Sequence, residues 1–301
     1  MDIPQPYLIA GLALASAFLF ALSDQLAHRA MTAADARSGA VVSVGASALV
    51  FWLFAPWLAK PEYWLTGATA IFAIVGIFRP ALSIYLAMIG IGYLGPTLAS
   101  AFSATTPLWG GMLAVSFLGE QVTPAIAIGT AAVVTGAVVA TIRPQGLPRN
   151  WPLWALLFPL GAAVIRASGH VSIKYGFEDL PSPYFASLVS STVSAVLGWA
   201  AFCFQRYRFK GGAALRTGDG RAWAAAYKWW IVSGMLNGIS IFTLNSALAL
   251  GSVVTVMPIA AAGPVFTLLL GLFVFRRESI TWRTVATIAL VVPGVVLVIL
   301  R

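Results

Sequence analysis

The sequence predicts an all-α polytopic membrane protein with ten transmembrane helices, arranged as two inverted five-helix repeats around a central cavity. Of its 301 residues, 60% are hydrophobic and only 9% are charged, and the mean hydropathy is +0.90. A chain this apolar does not belong to a soluble protein. Its apolar stretches are continuous runs of about 20 residues, which suit membrane-crossing helices and not the short alternating segments of a transmembrane barrel.

Ten such runs follow one another along the chain, and each predicts one span. They cover residues 7–27, 38–58, 65–92, 95–118, 123–142, 152–174, 183–204, 227–249, 253–275 and 281–300. The first run follows Met-Asp-Ile-Pro without a preceding basic residue. It therefore lacks the charged start of a cleaved signal peptide, and we expect span one to remain in the mature protein.

The second line of evidence is a pattern shared by the two halves of the chain. Leu-Gly, Pro, Glu, Gly and Arg recur in that order, with spacings of 12, 13, 16 and 7 residues in one half and 13, 14, 16 and 7 in the other. The two sets are Leu94-Gly95, Pro107, Glu120, Gly136 and Arg143, and Leu250-Gly251, Pro264, Glu278, Gly294 and Arg301. We place the repeats at 1–146 and 147–301. Because each has five spans, an odd number, the copies have opposite orientations in the membrane.

Lysine and arginine are distributed unevenly between the two sides of this topology. Thirteen lie at the odd-numbered loops and three on the other side, which includes both tails. The positive-inside rule then places the odd loops in the cytoplasm and both termini outside, in the inner (plasma) membrane of the cell. The most basic loop, Arg206 to Lys228, is interpreted as a solvated connector, and no nucleic-acid partner is expected.

Arg79 and Arg166 lie inside spans three and six, flanked by long apolar runs. A cation at the centre of a membrane helix costs roughly 2.5 to 3.5 kcal/mol on insertion scales, so it normally faces a cavity or a counter-ion. Arg166, His170 and Lys174 have spacings of four, which places them on one helix face as a stripe that would attract anions. The alternatives are an ion pair for Arg166, interfacial snorkelling for Lys174 and a structural hydrogen bond for His170.

Asp24 lies in span one at a depth similar to that of Arg79 in span three. If the two pair, Asp24 stays ionised and does not easily carry protons. If they do not, Asp24 is a candidate for proton coupling, with His28 one turn away on the same face. The sequence leaves both alternatives open.

Three prolines predict kinks inside spans. Pro80 follows Arg79 directly, and Pro107 and Pro264 occupy matching places in the two repeats. Each removes a helix hydrogen bond, and such kinks often line cavities or act as hinges of gates. The inverted repeats themselves favour alternating access, in which two similar halves exchange conformations around one central site.

The short hairpin around Gly92 to Pro96 and the Gly-Glu120 and Arg-Glu278 steps that end spans four and nine resemble the drug/metabolite transporter superfamily, in its EamA-type branch. The resemblance implies a basket-shaped monomer, with a dimer also possible. Its cavity would be lined by spans one, three, four, six, eight and nine. On those spans Tyr85, Trp109, Asn237 and Asn245 become candidate pocket residues. Relatives that export aromatic amino acids carry Asn-Tyr-Leu-Trp-Pro in span four, where this chain has Ala104-Thr105-Thr106-Pro107.

The predicted function is therefore transport of a small molecule. We expect an exporter or exchanger of small metabolites, amino acids or organic anions, whose anionic group is held by Arg79 and Arg166. A flippase for a lipid-linked substrate and a multidrug-type exporter are the alternatives. The single cysteine, Cys203, and two distant histidines form no recognisable metal motif. No cofactor and no enzymatic activity are expected.

Overall fold

The computed structural model describes residues 4–30, 36–141, 152–208, 220–275 and 281–300, and these are helical almost throughout. Glu278 and residues 209–219, in the loop from Arg206 to Lys228, lie outside the described residues. The α-helices are α1 Gln5–Ala30, α2 Ala36–Leu58, α3 Gly67–Ile77, α4 Ser83–Ser103, α5 Thr106–Leu118, α6 Pro124–Thr141, α7 Leu157–Asp179, α8 Pro183–Arg208, α9 Gly220–Leu250, α10 Val253–Ala260, α11 Gly263–Leu269 and α12 Trp282–Ile299.

These helices agree with the predicted spans, with three interruptions. In the described part of the chain, nine helical segments are long and apolar enough to cross a membrane, and α3 is a shorter apolar helix. Helix α3 continues through a π-helical turn, Phe78–Leu82, into α4. Span four is divided between α4 and α5, and span nine between α10, α11 and a second π-helical turn, Leu270–Val274.

Spans three and four have opposite directions, although the helical assignment of α4, Ser83–Ser103, continues from one span into the other. The ring of Tyr93 lies 5.1 Å from that of Trp154, near the start of α7. Glu120, just after α5, acts electrostatically on Lys174, near the end of α7. Trp154 and Lys174 are about 30 Å apart along their helix. The chain must therefore turn back after Tyr93, as the predicted hairpin requires.

The first repeat breaks its fourth span just before Pro107. The Ala104 amide donates to Ser100 O at 2.9 Å, and the Thr105 amide donates to Phe102 O at 3.1 Å. Helix α5 then starts with Pro107 in its first turn. Proline fits there because the first amides of a helix have no partner within the helix.

The second repeat breaks its ninth span in the same way. The Ala261 amide donates to Met257 O at 3.0 Å, the Ala262 amide donates to Ile259 O at 3.1 Å, and Pro264 lies in the first turn of α11. These bonds have the same order and spacing as those before Pro107. Pro107 and Pro264 thus lie at matching helix breaks in the two repeats.

Small residues allow the closest helix contacts. Helices α6 and α12 cross at Gly129 and Gly294, where a Cβ on either glycine would lie 2.6 Å or 2.8 Å from the carbonyl oxygen of the other. Helices α1 and α9 meet through two reciprocal serine pairs, in which each hydroxyl donates to the partner's carbonyl oxygen at 2.8 to 2.9 Å. The pairs are Ser16 with Ser240 and Ser23 with Ser233.

The two repeats are closed against each other on one side of the molecule. There α5 packs against α10, and both carboxylate oxygens of Glu120 accept backbone amides, from Val253 at 2.8 Å and Val254 at 2.9 Å. Helix α1 starts beside the α9–α10 connection, on this same side. Its other end, which carries His28 and Arg29, therefore lies away from Glu120.

Candidate functional site

Arg79 projects from the π-helical turn in span three. Pro80 has no amide hydrogen, so the carbonyl of Gly76 loses its usual partner in the helix. Ser194 of α8 donates its hydroxyl to that carbonyl oxygen at 2.9 Å, and Ser83 donates its hydroxyl to the carbonyl oxygen of Arg79. The kink predicted at Pro80 therefore takes the form of a π-helical turn that a neighbouring helix supports, and this turn fixes where the Arg79 side chain starts.

The structure brings Arg79, Arg166 and His170 together. The side-chain stem of Arg79 lies against Gly169 of α7, with Arg166 three residues before and His170 one residue after. Arg166 acts electrostatically on Arg79, and both guanidinium groups act on His170. The arginines are partly buried and His170 is only 7% exposed. We call these three residues the basic cluster.

The basic cluster has no negative charge of its own. No described carboxylate forms an ion pair with Arg79 or Arg166; a pair at 3.8 Å joins Lys60 and Glu62, both exposed. The Nδ1 atom of His170 is buried and has no hydrogen-bond partner among the described residues. An unpaired buried polar atom is costly, so a further hydrogen-bonding group beside His170 Nδ1 would be favourable.

Lys174 does not extend the cluster into the predicted stripe. Its Nζ donates to Leu248 O, near the end of α9, at 2.8 Å, and Glu120 and Glu178 act on it electrostatically. Cations are favourable at helix C-termini. Lys174 thus lies with Glu120 on the closed side of the molecule. There Lys174 bonds the end of α9, and Glu120 bonds the start of α10.

The sequence left open whether Asp24 pairs with Arg79, and the structure shows no ion pair between these two described residues. Asp24 is exposed on α1, and α1 packs along α9, α10 and α11, whereas the π-helical turn of Arg79 packs against α7 and α8. Similar depth in the membrane did not make the two side chains neighbours. Asp24 and His28, which is exposed one turn later, stay predictions for proton coupling.

The other predicted pocket residues are dispersed. Trp109 is partly buried, and its Nε1 donates to Thr105 Oγ1 at 3.2 Å, next to the first helix break. Asn245 is fully buried between α8 and α9, where its Nδ2 donates to Ser187 Oγ at 2.8 Å. Asn237 is partly buried on α9, and the side chain of Tyr85, on α4, lies outside the described residues. The cluster thus gathers three of the six predicted substrate-binding residues.

Two residues of the site escaped sequence reasoning. Ser194 completes the turn beneath Arg79, and Gly169 makes room for the Arg79 stem. The missing amide of Pro80 indicates that a hydroxyl on some neighbouring span could bond the freed carbonyl, but a sequence does not show which helix packs there. Gly169 is one of many glycines in an apolar chain, and its contact depends on the rotation of α7.

A groove of about 440 Å³ lies elsewhere, on the closed side, between the start of α1, the α9–α10 connection and the end of α12. Its lining includes Gln5, Gly251, Thr255 and Ile299 and no charged residue. It is remote from the basic cluster, and it shows that the two ends of the described chain lie on the same side as Glu120.

Comparisons with known proteins identify the fold. The sequence model of the EamA-like transporter family matches residues 8–142 and again residues 153–300. A solved crystal structure, described only as that of a protein, superposes with a TM-score of 0.74 at 18% sequence identity, covering 96% of this chain and 95% of its own. No curated protein sequence matches the chain.

Proposed function

The chain belongs to the EamA-like transporter family, and from this premise we propose that it exports or exchanges small organic anions, with the anionic group bound between Arg79 and Arg166. Family membership makes it a multi-pass membrane transporter of the drug/metabolite type. The proposal adds a substrate class, a site and a direction.

The observation that supports the substrate class is the basic cluster without a carboxylate. Two guanidinium groups and a buried imidazole share one region in the middle of spans three and six. Removing charges from water costs several kcal/mol per ion unless they are paired. A bound carboxylate or phosphate would offset that cost, and a planar guanidinium binds either group through two parallel hydrogen bonds.

Organic anions fit the cluster better than zwitterionic amino acids do. An amino acid brings a carboxylate but also an ammonium group, which would lie in the same positive field a few ångströms away. At 4 Å, two like charges repel by about 4 kcal/mol at an effective dielectric constant of 20. Because they still bring a carboxylate, amino acids are the next candidates as substrates after organic anions.

The position of the cluster relative to the closed side supports a direction of transport. Arg166 precedes Lys174 by eight residues, or about 12 Å along α7, so the cluster lies on the His28 and Arg29 side of the closed contact at Glu120. The distribution of positive charge assigns the loops on that side to the cytoplasm, and we infer that the site loads from inside the cell. Alternating access would then release the anion outside.

The test is thermal stabilisation of purified protein by defined compounds. The panel contains succinate, glycerol 3-phosphate, alanine and tetraphenylphosphonium. The protein is compared with Arg79→Gln and Arg166→Gln, and Lys60→Gln serves as the control because it removes an exposed cation far from the cluster. We expect succinate or glycerol 3-phosphate to stabilise the protein and the control, and neither arginine variant.

Two results would overturn this function. Stabilisation by the anions that persists in both arginine variants would remove the cluster from the binding site. Stabilisation by tetraphenylphosphonium alone would instead favour the multidrug alternative.

A further inference from the structure

We propose that Gly169 is a positioning residue of this anion site: its lack of a side chain lets Arg79 lie across α7 beside Arg166 and His170. The inference rests on the proposed function and adds to it a residue that carries no charge and makes no hydrogen bond to the anion.

The contact at Gly169 is closer than any side chain would permit. A Cβ on Gly169 would lie 2.9 Å from Arg79 Cδ, 3.4 Å from Arg79 Cγ and 3.5 Å from Val75 Cγ1. Carbon atoms pack at about 3.5 to 4.0 Å. The atoms in the way belong to the stem of Arg79 and not to its flexible end, so the stem would have to shift and would carry the guanidinium with it.

Arg79 cannot yield by moving its backbone. Its π-helical turn is held by the hydrogen bond from Ser194 to Gly76 O at 2.9 Å, and Gly76 is packed so closely on α8 that a Cβ there would lie 2.7 Å from Ser190 O. A methyl group at position 169 therefore acts on the side-chain torsions of Arg79 and turns its guanidinium away from Arg166.

The other repeat contains a helix contact that corresponds to the one between α7 and span three but lacks the basic cluster. Helices α1 and α9 are the repeat counterparts of α7 and span three. The two family matches begin at residues 8 and 153, an offset of 145, which places Ser23 opposite Ser168, next to Gly169. In the first position Ser23 and Ser233 close the contact with reciprocal hydrogen bonds. In the half that carries the basic cluster, Ser168 instead donates its hydroxyl to Ile165 O within α7 at 2.9 Å, and the neighbouring Gly169 contacts the stem of Arg79.

The experiment measures anion affinity, from ligand-dependent thermal shifts with succinate and glycerol 3-phosphate, for Gly169→Ala and Gly161→Ala. Gly161 lies on the same helix, but its Cβ would be 3.5 Å from Leu86 Cδ1, an ordinary contact. We expect Gly169→Ala to weaken binding by about tenfold or more, as for a misplaced binding group, and Gly161→Ala to leave it unchanged. Equal affinities in the two variants would overturn the proposal.

A double-variant cycle with Arg79→Ala separates positioning from general packing. In the Arg79→Ala background the obstructing stem is absent, so adding Gly169→Ala should change the stability no more than adding Gly161→Ala does. Gly176→Ala, whose Cβ would lie 2.6 Å from the Phe72 ring, should lower stability in either background. If Gly169→Ala alone does not fold, recovery of folded protein in the double variant supports the inference, and no recovery contradicts it.

Failure of this inference is distinguishable from failure of the function. If Arg79→Gln and Arg166→Gln abolish anion binding while Gly169→Ala binds as tightly as Gly161→Ala, the anion site stands and Gly169 has no part in it. If the arginine variants bind normally, the anion site itself is wrong, whatever Gly169→Ala does.

Discussion

At the residue scale, the stability of an Arg166 variant tells whether Arg166 serves a ligand site or a structural ion pair. The two alternatives predict opposite signs for the change in melting temperature. Without ligand, its charge is partly desolvated and repelled by that of Arg79, with no described carboxylate in ion-pair contact. Arg166→Gln should therefore raise the melting temperature of the ligand-free protein by about 2 to 4 °C, which corresponds to about 1 kcal/mol in a protein of this size.

The measurement is a thermal melt of the ligand-free protein in detergent, with Arg166→Lys as the control that keeps the charge. The lysine variant should melt within about a degree of the unaltered protein, since it keeps the charge. A fall of several degrees in Arg166→Gln would mean that Arg166 holds the fold together.

Sequence reasoning located the basic cluster but not its neighbours. Arg79 and Arg166 could be found from the sequence because a charge inside an apolar membrane helix is costly whichever helices pack beside it. The roles of Asp24 and Lys174 depend on which helices are neighbours. The membrane depth of a residue, or the helix face on which it lies, does not reveal that. Lys174 shares a face with Arg166 and His170, yet its long stem reaches the end of α9.

At the scale of elements, the two helix breaks share a backbone pattern but not their side chains. In the first, Thr105 Oγ1 donates to Phe102 O at 2.6 Å and Thr106 Oγ1 donates to Ser103 O at 2.7 Å. The matching residues of the second break are Ala262 and Gly263, which have no hydroxyl. The first break is thus supported by two side chains, and the second depends on Pro264.

We therefore expect Pro264→Ala to slow transport more than Pro107→Ala does. Alanine restores an amide, so α10 and α11 can join into one straight helix, whereas the threonine hydroxyls still compete for the carbonyls before residue 107. The measurement is counterflow of a radiolabelled anion into proteoliposomes. We expect a drop of at least about fivefold in rate for Pro264→Ala, on the order of 1 kcal/mol, with unchanged affinity. A larger effect at Pro107 would contradict this account.

All ten spans were predicted as single helices, and the interruptions that the described residues show fall in spans three, four and nine. Hydropathy measures length and apolarity, which suffice where a helix is uninterrupted. A π-helical turn such as Phe78–Leu82 adds a residue to a turn without changing composition. Proline marks where a hydrogen bond is lost, but the resulting geometry depends on the neighbour that takes the free carbonyl, as Ser194 does for Gly76.

At the scale of the whole molecule, Glu120 and Lys174 hold the two repeats together on the closed side. Glu120 accepts the first amides of α10, and Lys174 donates to the end of α9. Glu120→Ala removes two charge-assisted hydrogen bonds, each worth about 1.5 to 3 kcal/mol, and should shift the population towards a state open on this side.

The shift is measured as a spin-label distance in a Cys203→Ala background, with labels introduced by Gln121→Cys and Ser252→Cys at the facing ends of α5 and α10. We expect a longer or broader distance distribution in Glu120→Ala than in the parent. Glu178→Ala, which removes a nearby carboxylate that accepts neither α10 amide, is the matched control. Identical distributions in all three proteins would show that Glu120 does not keep this side closed.

The orientation of the molecule in the membrane decides the direction of transport. Both ends of the described chain lie on the closed side, as the groove between Gln5 and Ile299 shows, and the sequence assigns the positive loops to the opposite side. The positive-inside rule then predicts that both termini and the closed side face outward, so that the cluster would be reached from the cytoplasm.

A C-terminal green fluorescent protein fusion should therefore be dark, because that reporter matures only in the cytoplasm, and an alkaline phosphatase fusion at the same point should be active. An N-terminal fusion of each reporter provides the matched control, since both termini share one side. A fluorescent C-terminal fusion would place the closed side of this structure in the cytoplasm, and the cluster would then load anions from outside, which is uptake and not export.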